Sequence, residues 1–555
     1  MRDGTLLFAD VYRPTGGGKF PVLLMRLPYN KNEAQHNLGY AHPVWYAKKG
    51  YMVVVQDVRG RWASEGTFYP FLHEGEDSYD TIEWAAGLAG SNGRVGTYGF
   101  SYAGATQLLG ARLNPPSLIT MCPAFTPSQY YEGHCFHQGA FSLAFAASWA
   151  IHLAQEEARR QGDEEALISL QDTFRHAHEW YWKMPWKSFP PFLKKYAPYF
   201  FDWLEHSTYD AYWRRWSIDE DYGNIQVPAL HIGGWYDLFI RGTIRNFVGF
   251  RGHGGGKSIG SPQKLLVGPW YHMPWHPLTG EREQNWGASV IDDWQIAWFD
   301  HFLKEKKSTI FDYPVRVFVI GDGWRDLDDW PPTSCRLTGY FLHSEGRANT
   351  RFGHGILSTD SPGEESPDTY IYSPMAPNIS AGGHSGCSAF VAPMGPADQE
   401  TFETSRGVLV YTTPPLDHDV EIIGDVWVTL YASSTAADTD FTARLCLVDT
   451  GGSSMNLQEG IVRARFRNST THPILINPGK VYKYRICLGP VCARIREGEK
   501  IRLCIGSSDF PQWDRNFNKG RSPGPERLME GISATQMVYH TARFPSKVVL
   551  PITDA

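Results

Sequence analysis

The stretch VGTYGFSYAGATQLLGA (residues 95–111) decides the fold, because it predicts a buried strand and a helix joined by a single serine. The apolar run up to Phe100 indicates a short strand, and the Ala- and Gly-rich run from Ala103 onward indicates a helix. Ser101 then lies on a sharp corner between the two elements. Such a corner lifts the hydroxyl off the sheet toward the N-terminus of the helix, as a nucleophile elbow requires.

The local pattern is G-x-S-x-A-G, a small-residue variant of the elbow. Gly99 and Gly104 leave room for close backbone approach, and Ala103 occupies a place usually held by glycine. An ordinary strand-to-helix turn with a serine N-cap fits the same letters. The rest of the chain must therefore supply the partners of a nucleophile.

The sequence changes texture along the chain. Residues 1–114 alternate apolar strands such as YMVVVQDV with helical patterns, which predicts a parallel sheet covered on both faces. Residues 115–205 carry helical spacing punctuated by prolines, and no strand is predicted there. Strand signals return over residues 206–309. The sequence thus predicts an α/β domain that is split by a helical insertion.

Residues 310–555 consist almost entirely of predicted strands, among them VRVFVIGD, GVLVYTT and KIRLCIGSS. Gly, Pro and Asp turns separate these strands at short intervals, which is typical of an antiparallel sandwich or jelly roll. A chain of 555 residues is too long for one core, so two or three domains are expected.

Composition excludes several classes of protein. The net charge of −7 provides no basic face for nucleic acid and no polybasic anchor for a membrane. No apolar stretch is long enough to span a bilayer, and the first residues contain no apolar segment of a signal peptide. The eight cysteines are scattered without a C-x-x-C pair, so we expect reduced thiols in a cytoplasmic protein rather than a metal site.

Two later residues complete the elbow as a catalytic triad. Asp237 follows the predicted strand PALHI across a predicted turn at Gly233-Gly234, and His272 follows the strand KLLVG in the loop PWYHM. An α/β-hydrolase requires the order Ser, Asp, His, with each residue at the C-terminal end of a strand. His272 would take the proton of Ser101, while Asp237 fixes the imidazole tautomer and stabilises the imidazolium.

Other polar residues near these strands are weaker candidates. His231 lies inside a predicted strand, where its side chain should pack. His276 lies four residues past the loop histidine and remains an alternative base. Asp57 also ends a strand, but it precedes the serine and neighbours Arg59, so a structural ion pair between them is predicted.

An acyl-transfer enzyme also needs donors for the developing oxyanion. The backbone N–H of Tyr102, directly after the nucleophile, supplies one donor. The second usually comes from a glycine-rich loop, but the corresponding loop here is RLPYNK, and Pro28 has no N–H. The Tyr29 phenol is placed to act as a side-chain substitute. The alternative is a tyrosine that packs under the loop.

Six motifs in this chain resemble those of the cocaine-esterase-like (CocE/NonD) hydrolases: LPYNK, QDVRGRWASEGTFYPF, GRVGTYGFSYAG, GGWYDLF, GPWYH and SSDFPQWDRN. That family is related to X-prolyl dipeptidyl aminopeptidases and α-amino-acid ester hydrolases. The resemblance implies an α/β-hydrolase domain, an inserted helical cap and a C-terminal jelly roll. It makes Ser101, Asp237 and His272 the triad, and Tyr29 with the Tyr102 amide the oxyanion hole. No metal or cofactor is implied.

The chain departs from its amino-ester relatives where they bind a substrate ammonium. Those relatives carry acidic residues after the catalytic Asp and a Glu in the elbow. The corresponding positions here hold Leu238, Phe239, Ile240 and Ala103. A buried ammonium would lose its counter-charge against this apolar surface. Strict amino-ester or dipeptidyl specificity is therefore not expected, unless the cap supplies an acid such as Glu132, Glu156 or Glu157.

Phe239 and Trp149 resemble the aromatic wall of the acyl pocket in the cocaine-esterase-like enzymes, although either could belong to the core. Together these observations predict a serine hydrolase that cleaves esters of small apolar or aromatic acyl groups through an acyl-enzyme. An amidase, acylase or dipeptidyl-type aminopeptidase is the alternative within enzymes. A degenerate hydrolase that binds ligands through its jelly roll is a more remote one. The expected partner is a small molecule, and the sequence leaves a homodimer open.

Overall fold

The computed structural model describes residues 1–32, 40–188, 190–253, 262–272, 291–386, 388 and 390–553. Two large sheets organise these residues, one of nine strands and one of twelve. Among the described residues, no helix is both long and apolar enough to cross a membrane.

The first sheet has seven parallel strands with one antiparallel strand at each edge. Its spatial order is β1-β3-β2-β4-β5-β6-β7-β8-β9. In chain order the strands are β1 (Ala9–Tyr12), β2 (Phe20–Leu27), β3 (Met52–Asp57), β4 (Ser91–Phe100), β5 (Leu118–Ala124), β6 (Ala229–Tyr236), β7 (Gln263–Tyr271), β8 (Val315–Val319) and β9 (Gly323–Leu327).

Apolar layers cover both faces of this sheet. Along β2, Val22 and Leu24 belong to one buried cluster, whereas Leu23 and Met25 belong to another on the opposite face. Successive side chains of a strand point to opposite faces, so a strand buried on both sides is apolar at almost every position. The covering helices are α1 (Pro43–Lys48), α2 (Glu74–Ala86) and α3 (Tyr102–Ala111), and, later in the chain, α10 (Ile240–His253) and α11 (Ile291–Lys304).

A helical insertion separates β5 from β6. Its longest helices, α4 and α5, pack against each other, and its aromatic side chains join the core beside the sheet. The helices are α4 (Leu143–Arg160), α5 (Glu164–Arg175), α6 (Ala177–Trp180), α7 (Leu193–Tyr196), α8 (Tyr199–Glu205) and α9 (Ala211–Arg214).

The insertion begins later than the sequence predicts. Residues Leu118–Ala124 form β5, a central strand between β4 and β6, in the region 115–205 where no strand is expected. The strand contains Cys122 and Pro123 and is buried almost throughout. Because it is buried on both faces it lacks the alternation that marks a strand, and its proline argues against a central position.

The first sheet also extends beyond residue 309, the predicted end of the α/β domain. β8 pairs in parallel with β7, with Val315 opposite Leu265, and β9 completes the edge. The letters VRVFV suit an interior strand of either sheet. Only the pairing partner therefore shows to which sheet the strand belongs.

The second sheet forms an all-β domain with almost entirely antiparallel pairing. One large buried cluster fills its interior. The strands are β10 (Arg336–His343), β11 (Ile356–Ser358), β12 (Asp368–Tyr372), β13 (Leu409–Thr412), β14 (Val420–Ser434), β15 (Asp440–Val448), β16 (Ser454–Arg463), β17 (Tyr482–Ile495), β18 (Lys500–Gly506), β19 (Ala534–Thr541), β20 (Phe544–Pro545) and β21 (Lys547–Thr553), with a short helix α12 (Glu400–Glu403) between β12 and β13.

Candidate active site

Ser101 occupies the corner between β4 and α3 with φ 58° and ψ −123°, a strained conformation for a residue with a side chain. Glycines make this corner sterically feasible. A Cβ on Gly99, which has φ 134°, would lie 2.6 Å from the Cβ of Ala103. A Cβ on Gly104 would lie 2.8 Å from the carbonyl oxygen of Ala124 on β5. The helix can approach the sheet this closely only because both positions lack a side chain.

The structure brings Ser101, His272 and Asp237 into one hydrogen-bonded chain. His272 Nδ1 lies 2.7 Å from Asp237 Oδ1, and His272 Nε2 lies 3.0 Å from Ser101 Oγ. The carboxylate accepts a hydrogen bond from the Nδ1–H, which leaves Nε2 to accept one from the serine hydroxyl. Both Asp237 and His272 are buried, and Asp237 Oδ2 has no hydrogen-bond donor within the described part of the chain.

The ends of two strands position Asp237 and His272. Asp237 directly follows β6, and His272 directly follows β7. The Gly233-Gly234 pair lies inside β6 rather than in a turn, which differs from the sequence interpretation. A Cβ on Gly234 would lie 2.2 Å from the carbonyl oxygen of Trp270, so glycine allows the two strands to approach here.

The weaker candidates have structural surroundings. His231 is buried on β6, where its Nε2 hydrogen-bonds Gln263. Asp57 accepts the backbone N–H of Lys31 at 2.7 Å, so it anchors the loop after β2. Within the described residues the ion pair predicted for Asp57 is not found, and the neighbouring Arg59 pairs instead with Asp77 and Asp3. His276 lies outside the described residues.

Tyr102 presents its backbone and its side chain in different directions. It is the first residue of α3, so its N–H has no acceptor within the helix. Its phenol turns into the core, where it donates to Glu74 at 2.8 Å and accepts the N–H of Phe71 at 3.0 Å. The backbone of Phe71 is left-handed, with φ 68°, and this bond helps to hold it.

Tyr29 lies in the loop after β2, and its phenol oxygen accepts the indole N–H of Trp149 at 3.1 Å. The carbonyl of Pro28, one residue earlier, accepts bonds from Arg61 Nε and Trp62 Nε1. Arg61 also donates to the carbonyl of Leu153 and pairs with Glu156, both on α4. The same guanidinium therefore ties the Tyr29 loop to the helix that carries Trp149. Arg61 was not predicted as a functional residue from the sequence, although the motif QDVRGRW contains it.

A narrow pocket opens beside Ser101. Both residues predicted for the acyl pocket, Phe239 and Trp149, line it. The other lining residues are mostly apolar and include no carboxylate: Phe71, Tyr102, Ala105, Pro127, His134 and Phe145.

The three acids that the insertion was expected to offer are engaged elsewhere. Glu156 pairs with Arg61, and Glu157 lies next to Arg160 at 3.3 Å. Glu132 accepts the backbone N–H of Gln138 at 2.8 Å. Burial raises the pKa of Glu132 although Arg241 opposes this shift. None of the three lines the pocket beside the serine.

The described residues contain one compact group of side chains that are able to ligate a metal, Glu403, Cys446 and Cys504. It lies in the all-β domain. Arg502 and Ser454 already bind the Glu403 carboxylate, so the group is accounted for as a structural cluster. The seven cysteines in the described part of the chain are free thiols.

Comparisons with known proteins place this site in a family. Residues 3–274 match the X-Pro dipeptidyl-peptidase (S15) family, and residues 312–549 match the X-Pro dipeptidyl-peptidase C-terminal non-catalytic domain. The chain is 34% identical to a cocaine esterase from Rhodococcus sp. (strain MB1 Bresler), over 100% of this chain and 97% of the relative.

Solved structures share the fold over the whole chain. An aminopeptidase from a marine sediment Thaumarchaeota archaeon superposes with a TM-score of 0.82 at 23% identity, covering 100% of this chain and 95% of that protein. An α-amino acid ester hydrolase superposes with a TM-score of 0.78 at 22% identity, with the same coverage. On its similarity to the cocaine esterase and its match to both domains, this chain belongs to the cocaine-esterase-like (CocE/NonD) serine hydrolases of the S15 family.

Proposed function

We propose that this protein hydrolyses carboxylic esters with small, neutral, largely aromatic acyl groups through an acyl-enzyme on Ser101. The observation that carries the proposal is the continuous hydrogen-bonded chain from Ser101 through His272 to Asp237, at 3.0 Å and 2.7 Å, on a strained corner. The similarity to a cocaine esterase supports the same reaction class.

The reaction begins when His272 Nε2 takes the proton of Ser101 as the hydroxyl oxygen attacks the ester carbonyl. Asp237 keeps the other ring proton on Nδ1 and stabilises the imidazolium that forms. His272 then gives its proton to the departing alkoxide, so the alcohol leaves and the acyl group stays on Ser101. Water repeats the sequence, with His272 as its base, and releases the acid.

The oxyanion of each tetrahedral intermediate needs two donors. We propose that the Tyr102 N–H supplies one and the Tyr29 hydroxyl the other. Trp149 donates to the Tyr29 oxygen, so this contact uses the phenol as an acceptor and does not engage its hydrogen. The loop offers Pro28 at the neighbouring position, which has no N–H to contribute.

The pocket beside Ser101 suits the acyl part of the substrate. Aromatic rings form its walls, and it is small and without a carboxylate among its lining residues. A neutral aromatic acyl group gains apolar contact there, whereas a charged one loses hydration without a partner. This supports an esterase over an aminopeptidase, because an aminopeptidase must recognise a free ammonium.

The test compares the protein with Ser101→Ala on a panel of matched ester and amide substrates. The expected result is turnover of activated esters, labelling by a fluorophosphonate, and a loss of at least about 10³-fold in the variant. Variant turnover within about tenfold of the parent would refute the assignment of Ser101. Faster turnover of the amide than of its matched ester would favour an amidase or acylase. An inert serine in the parent would favour a binding protein.

A further inference from the structure

The pocket beside Ser101 contains one polar ring among its apolar walls. His134 lines this pocket, although the side chain is only 3% exposed. His134 lies in the segment between β5 and α4, and no sequence motif distinguishes it from the other 19 histidines. Its position against the acyl pocket follows only from the fold.

Neighbouring rings fix the orientation of this imidazole. The ring of His134 stacks on Phe239, with centroids 5.4 Å apart and planes 7° from parallel. Phe145 and Trp149 contact it edge to face at 5.0 Å and 5.7 Å. Three walls of the pocket thus hold the ring in a single plane.

The protonation of His134 follows from its burial and from one contact. Burial lowers the pKa of His134 to about 3, so the imidazole is neutral at physiological pH. Burial also raises the pKa of the Cys135 thiol, which keeps its proton. Cys135 Sγ lies 3.2 Å from His134 Nδ1. Imidazole nitrogen accepts hydrogen bonds better than thiol sulfur, so the thiol donates and the ring proton resides on Nε2.

The Nε2–H of His134 has no hydrogen-bond partner among the described residues, and it is the ring nitrogen left for a ligand. We propose that His134 selects acyl groups that carry a neutral oxygen acceptor, such as a hydroxyl or an ether on an aromatic ring. This inference rests on the proposed esterase function and names its substrate class more narrowly. A polar group left unpaired in an apolar pocket disfavours the substrate that cannot satisfy it.

The experiment uses esters of one alcohol with phenylacetic acid and with its hydroxy, methoxy and fluoro derivatives at each ring position. Fluorine is the control, because it adds bulk but accepts hydrogen bonds poorly. Each kcat/KM is divided by the uncatalysed hydrolysis rate of the same ester. At one ring position or more, the hydroxy and methoxy esters should exceed the fluoro ester by about 3- to 10-fold.

Variants test whether His134 causes this preference. His134→Phe should reduce the ratio of hydroxy to fluoro ester to about 1, and His134→Gln, which keeps an N–H donor, should restore part of it. His231→Phe replaces another buried histidine, outside the pocket, and should leave the ratio unchanged. The ratio is measured within one protein, so it does not depend on the folded fraction.

Two outcomes overturn the inference: a ratio near 1 in the parent protein, or a raised ratio that survives in His134→Phe. In either case hydrolysis of the unsubstituted ester leaves the proposed function intact. If the parent hydrolyses none of the esters beyond the level of Ser101→Ala, the proposed function itself fails, and the two failures are thereby distinguished.

Discussion

The indole N–H of Trp149 donates to the phenol oxygen of Tyr29 at 3.1 Å, which joins the helical insertion to the loop after β2. Arg61 reinforces the junction, because it binds the carbonyls of Pro28 in the loop and Leu153 on α4. The proposed oxyanion donor is therefore positioned partly by the insertion, and its geometry does not depend on the loop alone.

Tyr29→Phe removes one hydroxyl and almost no volume. If the phenol stabilises the oxyanion, kcat should fall about 10²–10³-fold while KM changes little. Tyr130→Phe is the matched control, because its buried hydroxyl has no hydrogen-bond partner within the described residues. Steady-state kinetics with a slow-leaving alcohol keeps chemistry rate-limiting. An unchanged kcat in Tyr29→Phe would give Tyr29 a packing role.

Trp149→Phe keeps an aromatic wall but removes the N–H that binds Tyr29. We expect kcat to fall by about 3- to 10-fold, the worth of one neutral hydrogen bond. In a Tyr29→Phe background the same substitution should have no further effect on kcat, because the hydroxyl that it orients is absent. Equal effects in both backgrounds would show that Trp149 acts through the pocket and not through Tyr29.

The pocket should discriminate against a charged acyl group. Phenylacetyl esters should exceed phenylglycyl esters of the same alcohol by about tenfold to a hundredfold in kcat/KM, at a pH where the amine is protonated. The reason is that no carboxylate lines the described pocket to replace the ammonium's hydration. Each value is corrected by its uncatalysed rate. Equal or better turnover of the phenylglycyl ester would contradict the assigned specificity.

The corner at Ser101, between β4 and α3, should be intolerant of added side-chain volume. In Gly104→Ala the new Cβ meets the Ala124 carbonyl and the Thr126 side chain at 2.8 Å, and we expect a loss of about 1–3 kcal/mol in stability together with reduced activity. Gly75→Ala on α2 is the matched control, since its Cβ finds nothing nearer than 3.5 Å. Thermal unfolding should show a lower Tm for the first variant and an equal or higher Tm for the second. Equal Tm values would contradict the close packing.

A buried ion pair in the all-β domain should make stability depend on pH. Burial favours the uncharged forms of His384 and Glu459. The attraction between the His384 imidazolium and the Glu459 carboxylate, whose Nδ1 and Oε1 atoms lie 2.8 Å apart, outweighs this effect. The pKa of Glu459 is lowered and that of His384 is raised. Stabilisation by Glu459 is lost as the pH falls below about 4.3, and that by His384 is lost as the pH rises above about 6.5.

The pair therefore contributes fully between about pH 4.5 and 6.5. Glu459→Gln should lower the stability by about 3 kcal/mol in that window and by less at pH 8–9, as followed by unfolding over a pH series. Glu305→Gln, at an exposed carboxylate, should show no such pH dependence. A difference between parent and Glu459→Gln that grows with rising pH would contradict the assignment.

Much of this site was predictable because its signals are local in the sequence. The glycines that flank Ser101 indicate the turn there, and Asp237 and His272 each follow a recognisable strand. Long-range relationships were not predictable. No sequence pattern indicates that the Asp57 carboxylate binds the backbone amide of Lys31, or that the imidazole of His134 lines the same pocket as Ser101. Such contacts depend on how separate segments pack.

The pairing of strands shows the same limit. β5 and β8 are buried on both faces, so their composition carries no alternation that would identify the neighbouring strand. From the sequence, β5 was consequently predicted to lie inside the helical insertion and β8 in the all-β domain. Hydrogen bonding to β4, β6 and β7 assigns both to the first sheet.

Two contacts cross from the all-β domain to the strand that carries Asp237. His384 donates from Nε2 to the carbonyl of Trp235 at 2.7 Å, and the Tyr236 phenol donates to the carbonyl of Asn456 at 3.1 Å. The region matched to a non-catalytic domain thus helps to hold the end of the strand that precedes Asp237. A protein truncated after Leu327 would leave Trp235 and Tyr236, the last two residues of β6, without these hydrogen-bond partners. A C-terminal domain from another protein, fused in place of this one, would preserve the position of Asp237 only if it supplied a hydrogen-bond donor to the Trp235 carbonyl.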